Sequence, residues 1–224
     1  MISAILTDIE GTTSPLSFVR EVLVPYTRQR MKAFIREHGD DPTVSKLLED
    51  VRRNLGRDLD DEQFAEQLLR WIEEERKLSA LKTLQAMIWE NGYRRDQFKG
   101  RVYEDAARNL RQWKERGLRV YGFSAGTVYA QKMLLSHSQY GDLSALFDDF
   151  FDTNVGAKDD PTAYQSIATS IQRSPSEVLC ISDSREELDA ARQVGMYTVW
   201  VVREGALDPE ATHRQVESFD AIEP

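Results

Sequence analysis

The chain has 224 residues, 41% hydrophobic and 30% charged, which suits one large globular domain or a core carrying a smaller insert. Its formal net charge of −9 argues against nucleic acid, which needs a basic face, and against an anionic membrane surface. The single cysteine, Cys180, rules out an internal disulfide and suits a reducing cytosol.

The first element is an apolar strand from Ile2 that runs into Asp8 and Glu10, followed by Gly11, Thr12 and Thr13. Successive side chains of a strand alternate, so the two acids start on one side, and Gly11 frees the backbone to bend tightly there. Leu16, Val19, Val22, Leu23 and Tyr26 then recur at helical spacing, with Pro25 expected to kink or break the helix. A second helix is predicted from Pro42 to Leu55, stopped by Gly56. A third is capped by Asp60 and carries the stripe Phe64, Leu68, Trp71 and Ile72. A fourth is expected from Ala80 to Trp89, ending at Asn91 and Gly92. No strand pattern interrupts this stretch.

Beyond Gly100 strands and helices alternate. A helix from Glu104 to Arg116 leads into the strand Leu118–Phe123, a turn at Ser124–Gly126 and a helix over Val128–Ser136. An apolar run Phe147–Phe151 and a helix over Thr162–Ile171 come next. The strand Val178–Ile181, the helix Glu186–Val194 and the strand Thr198–Val202 complete the alternation, and the acidic C-terminal tail reads as solvated surface. This order predicts an α/β fold, a Rossmann-like parallel sheet covered on both faces, with residues 1–14 and 100–224 as the core and 15–99 as an all-helical insert after the first strand. The N-terminus lacks a basic region, and no segment reaches the roughly 20 apolar residues of a membrane span, so a cytoplasmic protein is expected. With no heptad or large apolar stripe to force assembly, a monomer is the expected state.

In open parallel sheets, ligands bind beyond the carboxyl ends of the strands. Those ends supply Asp8 and Glu10, then Ser124 with Ala125, Gly126 and Thr127, then Asp152–Lys158, and then Ser182 and Asp183 with Glu186 and Glu187 following. Carboxylates, a hydroxyl and a lysine match the needs of phosphoryl transfer. A carboxylate can accept the phosphoryl group, Mg²⁺ takes one or two carboxylates plus water and phosphate, and a lysine neutralises the phosphoryl oxygens.

The order Asp8-Ile-Glu10-Gly-Thr, Ser124, Lys158 and Asp183 resembles the four motifs of the haloacid dehalogenase-like phosphohydrolases. Within them the chain is similar to the enolase-phosphatases of methionine salvage, also called acireductone synthases. The likeness extends through Ile88–Tyr93, Lys99–Tyr103, Tyr129–Met133, Phe151–Lys158 and Glu187–Ala191, and so through nearly the whole chain. The resemblance implies a helical cap, one Mg²⁺ per subunit, and a small phosphorylated metabolite, 2,3-diketo-5-methylthiopentyl 1-phosphate, that is enolised and then dephosphorylated to the acireductone. It implies Asp8 as nucleophile and Mg²⁺ ligand, and Glu10 as acid/base with its carbonyl on the metal. It further implies Ser124 and Lys158 on the phosphate, and Asp183 as the remaining metal ligand. Glu10 is also the nearest candidate for the enolisation base. The family's usual Ser-Ser-Gly-Ser turn reads Ser124-Ala125-Gly126-Thr127 here, so altered substrate contacts are expected, with Thr127 retaining a hydroxyl.

Other groups read as structural. Cys180 sits in a core strand, and His38, His137 and His213 fall at helix ends or in the tail. Asp152 and Asp159 read as turn residues, and Trp71, Trp113, Trp89 and Tyr93 as packing, although the last two could face a site. Glu186 and Glu187 suit a helix's first turn on dipole grounds, and Glu187 equally suits a supporting role at the site. Competing functions are a phosphatase for another metabolite, a dehalogenase, which would not need so many carboxylates, and a non-catalytic binding protein on the same scaffold. The last predicts loss of Asp8, Lys158 or Asp183, and all three are present.

Overall fold

The computed structural model describes residues 1–55, 59–74, 76 and 78–224. The chain divides into two compact units, one formed by Met1–Leu16 with Gly100–Pro224 and the other by Ser17–Lys99.

The first unit is built on a six-stranded, all-parallel sheet in the order β3-β2-β1-β4-β5-β6. β1 (Ala4–Thr7) is central and buried along its whole length, which explains why its apolar run does not alternate. β2 (Arg119–Phe123) and β3 (Asp149–Phe151) extend the sheet on one side of it. β4 (Val178–Ser182), β5 (Tyr197–Val201) and β6 (Arg214–Val216) extend it on the other. The strand order reverses at β1, and such a switch point opens a crevice at the carboxyl ends of the strands beside it, here β1 and β4. Helices α6 (Glu104–Glu115), α7 (Val128–Ser136), α8 (Pro161–Ser170) and α9 (Arg185–Gln193) accompany the sheet. One core cluster joins Leu6, Phe123, Tyr164, Ile167, Cys180 and Leu188. Cys180 is buried among them, and burial raises its thiol pKa, so it is held as a neutral core group.

The second unit is all-helical among its described residues. α1 (Leu16–Phe18) passes into a π-helical turn, Val19–Leu23, and then into α2 (Val24–His38). Pro25 therefore does not break the helix. It falls in the first turn of α2, just after the wider turn, where a missing N–H is tolerated. α3 (Pro42–Arg53) is capped by Asp41, whose carboxylate accepts from the N–H groups of Thr43 and Val44. α4 (Asp61–Glu73) is capped by Asp60 through the N–H of Gln63 at 2.8 Å. The expected stop at Gly56 lies outside the described residues. α5 (Ser79–Arg94) runs through Asn91 and Gly92 rather than ending there. Gly92 is a packing position: a Cβ on it would lie 2.5 Å from the Phe98 ring. Phe64, Leu68, Trp71 and Ile72 join Met31, Leu84 and Ile88 in the core of this unit. Tyr93 is buried, and the indole N–H of Trp89 donates to Leu23 O and Thr27 Oγ1, so both rings pack within it. No helix among the described residues is long and apolar enough to cross a membrane.

The C-terminal tail is not solvated surface. β6 pairs with β5, Phe219 is fully buried and stacks on Trp113 at 5.5 Å between centroids, and His213 is buried against Thr198 and Asp189. Three-residue β6 is too short for an alternation pattern to reveal it. Asp105 fastens this segment, accepting from the Phe219 N–H at 2.7 Å, Ser218 Oγ at 3.1 Å and Arg203 Nη1 at 2.7 Å. Burial alone would raise the Asp105 pKa, but the Phe219 N–H and the Arg203 guanidinium prevail and hold it below the usual carboxylate range. Its stabilising contribution is therefore complete above that range and is lost as pH falls through the depressed value. Asp105→Asn is expected to cost about 2 kcal/mol in urea unfolding at pH 7, the scale of hydrogen bonds to a charged group, and this difference should shrink in acid. An unchanged midpoint at pH 7 would contradict the anchoring role.

Candidate active site

The ladder of β1 ends at Thr7, and the chain then folds into a tight loop. The N–H groups of Thr13 and Ser14 return to Ile9 O, and the Gly11 N–H reaches Ser14 O. Asp8 leads this loop with its N–H on Ile181 O of β4, and its own carbonyl accepts from the hydroxyls of Thr7 and Thr13. Gly11 adopts φ +93°, which disfavours any side chain, and a Cβ there would lie 2.2 Å from Asp183 Oδ2. The loop thus brings bare backbone against the carboxylate at the end of β4. Thr12, fully buried, completes the junction: its hydroxyl donates to Asp183 Oδ1 at 3.1 Å and accepts from the Asp183 N–H at 2.9 Å.

Glu10 lies on the β2 side of the loop. Its Oε1 is 3.5 Å from Ser124 Oγ, and a Cβ on Gly126 would come within 2.9 Å of it. Ser124 is buried and accepts the Gly126 N–H at 3.0 Å, fastening its own turn, while Ala125 is exposed at the tip. The hydroxyl that Thr127 retains caps α7 by accepting the Ala130 N–H, which gives it a structural use. Gln131 of α7 ties the turn to β3, donating to Gly126 O at 3.0 Å and Phe151 O at 2.8 Å. Asp152 accepts from the Val128 and Asn154 N–H groups, as a turn residue does.

Lys158 reaches the same place from the loop before α8. Its ammonium bonds Asp8 Oδ1 and lies 2.8 Å from Glu187 Oε2, with the Phe123 ring 5.5 Å away and the Tyr164 hydroxyl on its backbone carbonyl. Burial works to lower the Lys158 pKa, but the charges of Asp8 and Glu187 outweigh it, so the group is raised and stays an ammonium. Glu187 is pushed up to about 7 by burial and by Asp8, against the pull of Lys158 and Ser182. Both readings of Glu187 hold: its N–H is capped by Ser184, while its carboxylate accepts from Ser182 Oγ at 2.7 Å and faces Lys158. Solvent reaches Asp183, yet crowding by protein and then the charge of Asp8 raise its pKa.

Asp8, Glu10, Ser124, Lys158 and Asp183 therefore gather at neighbouring strand ends, with Ala125 at the rim. A buried carboxylate, Asp8, beside a second one open to water, Asp183, fits a hard divalent cation such as Mg²⁺. Among the described residues no three His, Cys, Asp or Glu side chains are arranged so that all could ligate one metal ion. The set thus suits a cation that takes Asp8, Asp183 and a backbone carbonyl and fills its remaining positions with water and a bound anion. A cleft of about 280 Å³ opens on the Asp183 side, lined by Gly11, Tyr103, Trp200 and Arg203 among others. Arg203 and Trp200 were not among the sequence candidates. They belong to the carboxyl end of β5, the strand end that reading did not use.

Residues 2–195 match the model of the haloacid dehalogenase-like hydrolase family. Enolase-phosphatase E1 of Methylococcus capsulatus is 51% identical, covering 100% of this chain and 99% of that protein. The enolase-phosphatase E1 of Aquifex aeolicus is 42% identical, with 100% of both covered. Among solved structures, the UTR4 protein of Saccharomyces cerevisiae aligns with a TM-score of 0.84 and 32% identity over 99% of this chain and 100% of that one. A dehalogenase at 22% identity and TM-score 0.59 shares the fold.

Because Glu187 is one of two anions that keep Lys158 charged, Glu187→Gln should increase the free-amine fraction of Lys158 several-fold. Its acetylation by acetic anhydride near pH 9, mapped by mass spectrometry, should accelerate accordingly. An unchanged rate would mean that Asp8 alone sets the charge of this lysine.

Proposed function

Since the chain belongs to the enolase-phosphatase E1 family of haloacid dehalogenase-like hydrolases, we infer that it converts 2,3-diketo-5-methylthiopentyl 1-phosphate to the acireductone of methionine salvage. The observation that carries the chemistry is the pairing of Asp8 with Lys158 at one strand end while Glu10, two residues on, turns to Ser124 at the next. In this reading the helical insert after the first strand serves as the cap, and the protein acts in the cytoplasm as a monomer.

Glu10 takes a carbon-bound proton beside a carbonyl and keeps it, and the enolate oxygen left behind takes a proton from water to give the enol. The Asp8 carboxylate then attacks phosphorus, the bond from phosphorus to the substrate oxygen breaks, and Glu10 returns a proton to the departing oxygen. Water attacks the phosphorus of the resulting aspartyl phosphate with Glu10 as base, and Asp8 is restored. Lys158 stays charged through both transfers and neutralises the phosphoryl oxygens, while the Ser124 turn orients them. Asp8, the Glu10 carbonyl and Asp183 would hold Mg²⁺, which supplies charge neutralisation at the phosphoryl group and beside the developing enolate. Ala125 offers no hydroxyl to the substrate, and its effect belongs in KM rather than in chemistry.

With the diketo phosphate and Mg²⁺, an ultraviolet enol signal should rise and decay as phosphate is released, and EDTA should stop both. Asp8→Asn should lower phosphate release by about 10³-fold or more, as loss of a nucleophile does, with its thermal unfolding retained. Phosphate release without an enol signal would point instead to a phosphatase for another metabolite. Near-normal kcat in Asp8→Asn would remove Asp8 as the nucleophile.

A further inference from the structure

Arg203 lies just beyond the end of β5 and outside the 2–195 segment that matches the family model, yet it reaches the loop that carries Asp8. Its side chain is 8% exposed, and three of its N–H groups are committed. Nη1 pairs with Asp105 at 2.7 Å, while Nε and Nη2 both donate to Thr12 O at 3.0 and 2.9 Å. The guanidinium carbon lies over two aromatic rings, 4.0 Å from the Tyr103 centroid and 5.0 Å from that of Phe219. Asp105 is itself fixed by Ser218 Oγ and the Phe219 N–H. A planar fork clamped this way grips one carbonyl with two donors, which the point charge of a lysine cannot reproduce.

The gripped residue is the one that holds Asp183. Thr12 exchanges hydrogen bonds with Asp183 through its hydroxyl, which can do so only if its backbone is fixed in place. Trp200 of β5 adds a second restraint, donating its indole N–H to Asp183 O at 2.9 Å. Two side chains of the C-terminal part of the chain thus converge on Asp183. We propose that Arg203 is a positioning residue for the metal site: by clamping the Thr12 carbonyl it sets the Thr12 hydroxyl, and so the Asp183 carboxylate, for a divalent cation. This rests on the reading above that Asp8 and Asp183 bind such a cation.

Mn²⁺ binding to metal-free protein, followed by electron paramagnetic resonance, tests the proposal without reference to turnover. Arg203→Met and Thr12→Val should each weaken Mn²⁺ binding about tenfold, the scale of losing a group that orients a metal ligand. If Arg203 acts through Thr12, the double variant should be little worse than either alone, because the two changes break one path. Arg203→Lys should recover part of the affinity. Thermal unfolding in EDTA runs alongside, and Arg203→Lys replaces Arg203→Met in the cycle if the latter does not fold. Three results would overturn the proposal: wild-type affinity in the Arg203 variant despite lowered stability, wild-type affinity in Thr12→Val, or a double variant about a hundredfold weaker. Absence of Mn²⁺ binding by the wild type would instead overturn the metal reading, and this proposal with it.

Discussion

The rest of the site depends on the placement of negative charge at the end of β1. Asp8 is almost completely buried and meets the ammonium of Lys158, which Glu187 approaches from the other side. Asp183 stands close enough for the charge of Asp8 to raise its pKa. Burying carboxylates is costly unless cations offset them, and one lysine serves two of these three. The remaining excess of negative charge is what makes a divalent cation fit, and the lysine places a positive charge directly beside Asp8.

The fold produces this crowding through topology rather than through any unusual local structure. Because the strand order reverses at β1, the ends of β1 and β4 stand side by side at the switch point. β2 delivers Ser124 from the opposite neighbour, and the loop after β3 delivers Lys158. Backbone without side chains lets carboxylates come close: Gly11 admits Asp183, and Gly126 admits Glu10. The extended segment after β5 then braces the arrangement from behind, with Asp105, Arg203 and Phe219 as one packed unit.

The core was legible in the sequence because strands buried on both faces and helices at regular spacing leave strong patterns, and because one rule about strand ends selects polar groups that the fold gathers. That rule, applied to four ends, supplied Asp8, Glu10, Ser124, Lys158 and Asp183. The fifth end, with Trp200 and Arg203, went unread because an isolated arginine after a strand carries no pattern of its own. Its aromatic and acidic partners are scattered over Tyr103, Asp105 and Phe219, so only tertiary structure joins them. Gly92 and Pro25 misled for a related reason. Local propensity marks both as helix breakers, while packing against Phe98 and a π-helical turn accommodate them. Glu187 stayed undecided because a cap and an ion-pair partner use different atoms of one residue, and here it does both.

The central claim is that Asp8, and no other acid of the crevice, carries the phosphoryl group between two transfers. Enzyme quenched with borohydride during steady-state turnover of the diketo phosphate tests this directly, since an acyl phosphate is reduced to an alcohol while a free carboxylate is not. Mass spectrometry of the peptide spanning β1 should find homoserine at position 8, formed only with substrate present. Reduction at Glu10, Asp183 or Glu187, or at no carboxylate while phosphate is being released, would contradict the account.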